Sequence, residues 1–150
     1  MIKKILSMQQ KYVIQNKSND ILYFSLKLKS DEFKSLHPEL TVEVNDTPAL
    51  SIDELENIVK SRNNSSKMSI LVIDDLWLMA TQNTYITKKE EIEEILSKIK
   101  QLVEQEIITV LALVLLSKYV PNSYSLRKEL ESYGNFMRWA DRIVESRSEI

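Results

Sequence analysis

A chain of 150 residues, 43% of them hydrophobic, is long enough to form one domain around its own core, and a single domain over residues 1–150 is the expectation. A formal net charge of −2 gives no general attraction to nucleic acid or to anionic membrane, so any polyanion contact must be local. The lack of cysteine removes disulfides, thiolate nucleophiles and cysteine-based zinc or iron sites, and suits a reducing compartment. The longest apolar run, Ile107 to Leu116, falls short of the ~18 residues that cross a bilayer, and no apolar core of a signal peptide follows Lys3 and Lys4. A soluble, cytoplasmic domain without membrane contact is expected.

Along the chain, helical and extended patterns alternate. The segment Ile2 to Gln15 reads two ways: Ile5, Met8 and Tyr12 have helical spacing, while Tyr12-Val13-Ile14 suits the start of a strand. After a polar turn, Ile21-Leu22-Tyr23-Phe24-Ser25-Leu26 predicts a short apolar strand. Ser30 is placed to cap a helix through Leu36, which His37-Pro38 ends because the residue before proline is pushed out of the α region. Thr41 to Val44 predicts a further strand. Ser51 with Glu54 forms a capping box, flanked by a Leu50–Leu55 staple, and opens a helix to about Arg62. Thr87 with Glu90 repeats the box before an apolar face of Ile92, Ile95, Leu96, Ile99, Leu102 and Val103. Ile107 to Leu116 lacks alternation, as expected of a strand covered on both faces. A helical piece from Leu126 to Tyr133 and a short strand near Ile143 complete an α/β plan.

The segment Ser69 to Met79 carries the chemistry. An apolar run stops at Asp74-Asp75, and a hydrophobic strand delivering an acid at its carboxyl end is how nucleotide-binding α/β folds hold the magnesium of a nucleoside triphosphate. That magnesium needs phosphates, and a phosphate cradle needs glycines whose backbone N–H groups curl around the anion. The chain has one glycine, Gly134.

These pieces, taken in order, resemble the RecA-like C-terminal motor domain of DnaB-type replicative helicases. Tyr23-Phe24-Ser25-Leu26 resembles the strand that in the family ends with a catalytic glutamate. Asp46 to Leu55 resembles the segment before the Walker B strand, and Leu71 to Met79 the Walker B strand itself. Glu91 to Val103 resembles the next helix, Leu115-Leu116-Ser117-Lys118 the sensor strand, and Leu130 through Gly134 to Ala140-Asp141 the segment after it. The resemblance covers roughly residues 20 to 147. It implies a RecA-like, P-loop NTPase-type fold with a mainly parallel sheet flanked by helices.

The departures from the family pattern shape the functional expectation. Its first strand and Walker A loop would precede the N-terminal segment, and its arginine finger would lie beyond Ile150. Lys27 stands where the family has its catalytic glutamate, and an ammonium group cannot accept a proton from an attacking water. Ser117 and Lys118 occupy the sensor positions, with Lys118 in place of glutamine. Only Asp74 matches the hydrolytic apparatus, so the resemblance implies a truncated, degenerate domain without autonomous ATPase activity and with no cofactor. It would act as a replication-linked accessory by binding a replicative helicase subunit or a second copy of itself. ATP and magnesium enter only if the chain is a fragment of a helicase whose P-loop lies on another segment.

Other readings of these residues are plainer. Asp74 and Asp75 can simply end a strand, their side chains directed to opposite faces. Lys27 or Lys118 at the neighbouring strand ends can pair with one of them and replace magnesium as counter-charge. Lys88, Lys89 and Arg127 fall where the family's pore loops meet single-stranded DNA, but Glu90, Glu91 and Glu93 follow the first two, as a capped helix start requires. Trp77 and Trp139 suit the edge of a core, and His37, the one histidine, has no partner for a metal site or a triad. No catalytic residue is assigned. In a RecA-like sheet the P-loop strand is central, flanked by the strand after Walker B and its neighbour, so its absence would leave a gap along the middle of the sheet. Two repairs are expected: Tyr12-Val13-Ile14 as a replacement strand, or direct pairing of the Ile107 to Leu116 strand with a neighbour and cover from a second copy.

Overall fold

The computed structural model describes residues 21–36, 38, 42–84, 87–114 and 126–143. Its centre is a parallel sheet of β1 (Ile21–Ser25), β2 (Glu43–Asn45), β3 (Ile70–Asp74) and β4 (Thr109–Leu113), in the order β2-β1-β3-β4. Parallel neighbours require crossovers, which the helices supply: α1 (Ser30–Leu36) between β1 and β2, α2 (Ile52–Ser65) before β3, and α3 (Lys88–Glu106) between β3 and β4. Two short helices, α4 (Leu126–Glu131) and α5 (Phe136–Trp139), follow.

Burial on both faces explains why β1 and β3 read as continuous apolar runs. Leu22, Phe24, Leu71 and Ile73 point into one cluster with Leu55 and Val59 of α2 and Ile92, Ile95 and Leu102 of α3. Ile21, Tyr23, Ile70 and Val72 point the other way, packing with Phe33 of α1. Each such side chain removed from water contributes about 1.5–3 kcal/mol before conformational entropy is charged against it.

Both capping boxes form. The Glu54 amide donates to Ser51 Oγ at 3.2 Å while Glu54 Oε2 accepts from the Ser51 amide at 2.9 Å; Thr87 and Glu90 make the same pair of contacts. Lys98 of α3 then ties the two helices together, its ammonium 2.5 Å from Asp53 in the first turn of α2 and 3.1 Å from Glu94.

Several boundaries differ from those the sequence predicts. Ser30 is the first residue of α1 rather than its cap, and its amide is satisfied by Asp46 Oδ2 at 2.7 Å. The helix predicted to end at Arg62 continues to Ser65, where Arg62 caps it by donating to Ser66 O. Ile107 does not begin a strand: it adopts φ 55°, ψ 51°, and its amide closes the end of α3 on Val103 O. β2 runs from Glu43 rather than from Thr41, which lies outside the described residues. α4 stops at Glu131, with Ser132 and Tyr133 in a turn; Ile143 itself is in no strand, and the rest of the strand expected near it lies outside the described residues. The Tyr12-Val13-Ile14 segment and His37 also lie outside the described residues. Among the described residues no helix is long and apolar enough to cross a membrane.

Candidate functional site

In β-sheet register Ser25 lies beside Asp74, so the carboxyl ends of β1 and β3 are level, and the chain leaves both at the same rim. A small turn shapes the exit from β1. The buried Ser25 hydroxyl donates to Leu28 O at 2.8 Å and accepts from the Leu28 amide at 3.2 Å, while the Leu26 amide donates to Asp74 O at 2.6 Å. Lys27 sits at the tip of this turn, and its Nζ lies 3.1 Å from Asp75 Oδ2.

Asp75 is buried, only 4% exposed, and its other oxygen accepts from the Trp77 amide at 3.0 Å. That contact caps the 3₁₀ turn Leu76–Leu78, which carries the chain out of the sheet. Asp74 makes a different set of contacts. Its Oδ2 accepts from the Tyr23 hydroxyl at 2.7 Å. Burial pushes the Asp74 carboxyl above its ordinary pKa; the Tyr23 hydrogen bond and Lys27 pull against that shift, and the neighbouring Asp75 adds to it. The Asp74–Asp75 peptide bond is cis.

Of the residues singled out in the sequence, the structure brings Lys27, Asp74 and Asp75 together. Ser117 and Lys118 lie outside the described residues, as does the Arg127 side chain. Lys88 and Lys89 are engaged internally. The Lys88 ammonium lies 2.5 Å from Met79 O and 2.6 Å from Glu91 Oε2, and it stands 6.0 Å from the centre of the Trp77 ring. Lys89 donates to Glu131 O at 3.1 Å. Trp77 meets Tyr133 edge-on at 4.8 Å, and the Trp139 indole donates to Glu93 Oε2 at 2.8 Å, so both tryptophans fasten elements together.

Sequence reasoning missed Tyr23, whose hydroxyl holds Asp74, and Ser25, whose hydroxyl shapes the turn that carries Lys27. The available signal was a hydroxyl group on an apolar strand; which acid Tyr23 meets depends on cross-strand register, while Ser25 bonds locally to the Leu28 backbone.

A parallel sheet flanked by helices, with two acids at the carboxyl end of β3, has the architecture of a RecA-like α/β domain. The chain belongs to the family of the DnaB-like helicase C terminal domain, whose model matches residues 1–130. It is similar to a DnaB-like replicative helicase solved in a study of its interactions with primase: TM-score 0.71 at 14% identity, over 84% of this chain and 40% of that one. It is also similar to a second solved structure, an ATPase domain, with a TM-score of 0.58 at 14% identity, over 69% of this chain and 49% of that one. The chain thus spans less than half the length of these two structures, and at such identity the likeness concerns the fold. A comparison with curated proteins gives no match.

Proposed function

We propose that this chain is a helicase-related RecA-fold domain that does not hydrolyse nucleotide itself and works by binding another protein of DNA replication, with a replicative helicase subunit as the partner. The observation that carries this reading is the Lys27–Asp75 ion pair. At the turn after β1, where the family resemblance calls for a carboxylate that polarises water, an ammonium group lies 3.1 Å from a buried acid and supplies its counter-charge from within the protein.

The neighbouring donors support the same conclusion. Asp74 is occupied by the Tyr23 hydroxyl, and among the described residues no three His, Cys, Asp or Glu side chains stand together as metal ligands. One carboxylate already paired with lysine and another raised in pKa by burial do not suit magnesium, which takes an octahedral set of oxygens and usually phosphates with it. The sequence of 150 residues also offers no glycine-rich cradle for those phosphates. What remains is a packed domain with helicase-type architecture, and one similar structure is a DnaB-like replicative helicase studied for its interactions with primase, which supports a protein partner.

Calorimetric titration with a non-hydrolysable ATP analogue and magnesium tests the nucleotide half: no heat of binding and no hydrolysis are expected, and micromolar affinity would overturn it. Sedimentation of the chain with a DnaB-type helicase subunit tests the partner half, which fails if the two migrate independently at micromolar concentration. A second reading is favoured by the shares of 40% and 49% of the matched structures: the chain would be one part of an ATP-dependent replicative helicase whose P-loop lies on another segment.

A further inference from the structure

The 3₁₀ turn Leu76–Leu78 touches two regions that lie far apart in the sequence. Asp75, which caps it, is buried; one of its carboxylate oxygens meets Lys27 and the other accepts from the Trp77 amide. The ring of that same Trp77 meets Tyr133, in the turn after α4, edge-on at 71° with centroids 4.8 Å apart. Lys88, at the start of α3, clamps the exit: its ammonium lies 2.5 Å from Met79 O and 6.0 Å from the centre of the Trp77 ring. Two backbone bonds close the turn itself, from the Leu78 amide to Asp75 O at 3.0 Å and from the Met79 amide to Leu76 O at 3.1 Å. Leu76 and Met79 are fully buried and hold it in the core. A piece so short and so closed has little torsional freedom with which to absorb a displacement at one end, and rigid elements in a network of packed side chains and hydrogen bonds are what carry coupling between sites.

We propose that Trp77 is a coupling residue, joining the Lys27–Asp75 pair to the carboxyl-terminal segment at Tyr133 through the 3₁₀ turn. Its amide reads the position of the Asp75 carboxylate, and its ring reads the position of Tyr133. A protein seated on the carboxyl-terminal segment is then felt at the acids, and a group that displaces Lys27 from Asp75 is felt at Tyr133. Such coupling is reciprocal, so disturbing either end must loosen the other. It does not depend on whether the chain binds nucleotide, nor on the identity of its partner.

Hydrogen exchange followed by NMR on the full chain tests both directions. Tyr133→Leu removes the ring and is expected to speed exchange of the Trp77, Leu78 and Met79 amides by about fivefold or more beyond any change at Leu71, Val72 and Ile73 of β3. Tyr133→Phe keeps the ring and is expected to behave as the parent. In the reverse direction, Lys27→Met is expected to speed exchange of the Ser132 and Tyr133 amides, which donate to Glu129 O and Leu130 O, and to lose that effect in a Trp77→Leu background. Exchange at the 3₁₀ turn that is unchanged in Tyr133→Leu overturns the proposal, and so does an equal acceleration in β3, which is a general loss of stability. A Lys27→Met effect that is absent, or that persists without the Trp77 ring, overturns it as well.

Discussion

The Tyr23 hydroxyl donates to Asp74 Oδ2 at 2.7 Å, a diagonal contact between adjacent strands in which Tyr23 itself pairs with Val72. The acid it holds has a pKa raised above the ordinary value, mainly by burial. A carboxyl group of this kind binds its proton more tightly in the folded chain than in the unfolded one. Protonation therefore favours folding, and stability falls as pH rises from the ordinary Asp value of about 3.9 through the raised one. Asp74→Asn keeps an acceptor for Tyr23 and removes the charge. It is expected to be at least as stable as the parent at neutral pH and to show a flatter stability profile across that window. Urea midpoints at a series of pH values check this, and a variant that loses more stability at neutral pH than near pH about 4 would contradict it.

Lys27 is the counter-charge for a carboxylate that is 6% exposed, while its own side chain is 35% exposed. Replacing it by methionine keeps the aliphatic stem and leaves Asp75 buried without its cation. After discounting for solvent at Lys27, the expected cost is about 1–2 kcal/mol. The double variant Lys27→Met with Asp75→Asn should recover part of that loss, because it removes the stranded charge as well. A double-mutant cycle from urea unfolding measures the coupling, and strict additivity would mean that the pair contributes nothing.

Much of this architecture was legible before any coordinates. The boxes at Ser51 and Thr87 were legible because capping is local: residues three apart satisfy each other wherever the helix sits. The Asp74-Asp75 terminus was equally clear, since an apolar run ending in acids is a one-dimensional signal. Pairing of a nearby lysine with one of the acids was an expected alternative, and Lys27 makes that contact with Asp75. Tyr23 was not legible, because its partner Asp74 is fixed by register between strands about fifty residues apart, whereas the Ser25–Leu28 turn is a local contact that was passed over because Ser25 sits in an apolar run. The start of β4 was misplaced for another reason. Ile107 and Ile108 look like strand residues by composition, but the end of α3 needs a left-handed residue, and position 107 supplies it at φ 55°.

Gly134 stands where backbone approaches side chain closely. A Cβ there would lie 2.8 Å from Ile92 Cγ2 and 3.1 Å from Phe136 Cε2. Gly134→Ala is therefore expected to cost about 1–3 kcal/mol, as overpacking does elsewhere. The companion substitution Ile92→Ala removes the Cγ2 atom in the way, so the alanine at 134 should cost less in that background. Thermal unfolding of the four combinations checks this, and an equal cost of Gly134→Ala in both backgrounds would exclude the clash as its cause.

The stretch from Leu126 to Ile143 is fastened to α3 by an apolar anchor and by polar pins: Phe136 is buried in the core cluster, and Leu130, Tyr133, Trp139 and Ile143 pack against it. Glu93 accepts from the Asn135 amide and from the Trp139 indole, both at 2.8 Å, Lys89 reaches Glu131 O, and Lys100 meets Asp141. Polar contacts at a surface exchange readily for water, whereas the buried leucines and isoleucines beneath α2 and α3 do not. The polar pins therefore open locally at less cost than the buried Phe136, which ties the two short helices into the same core as α2 and α3.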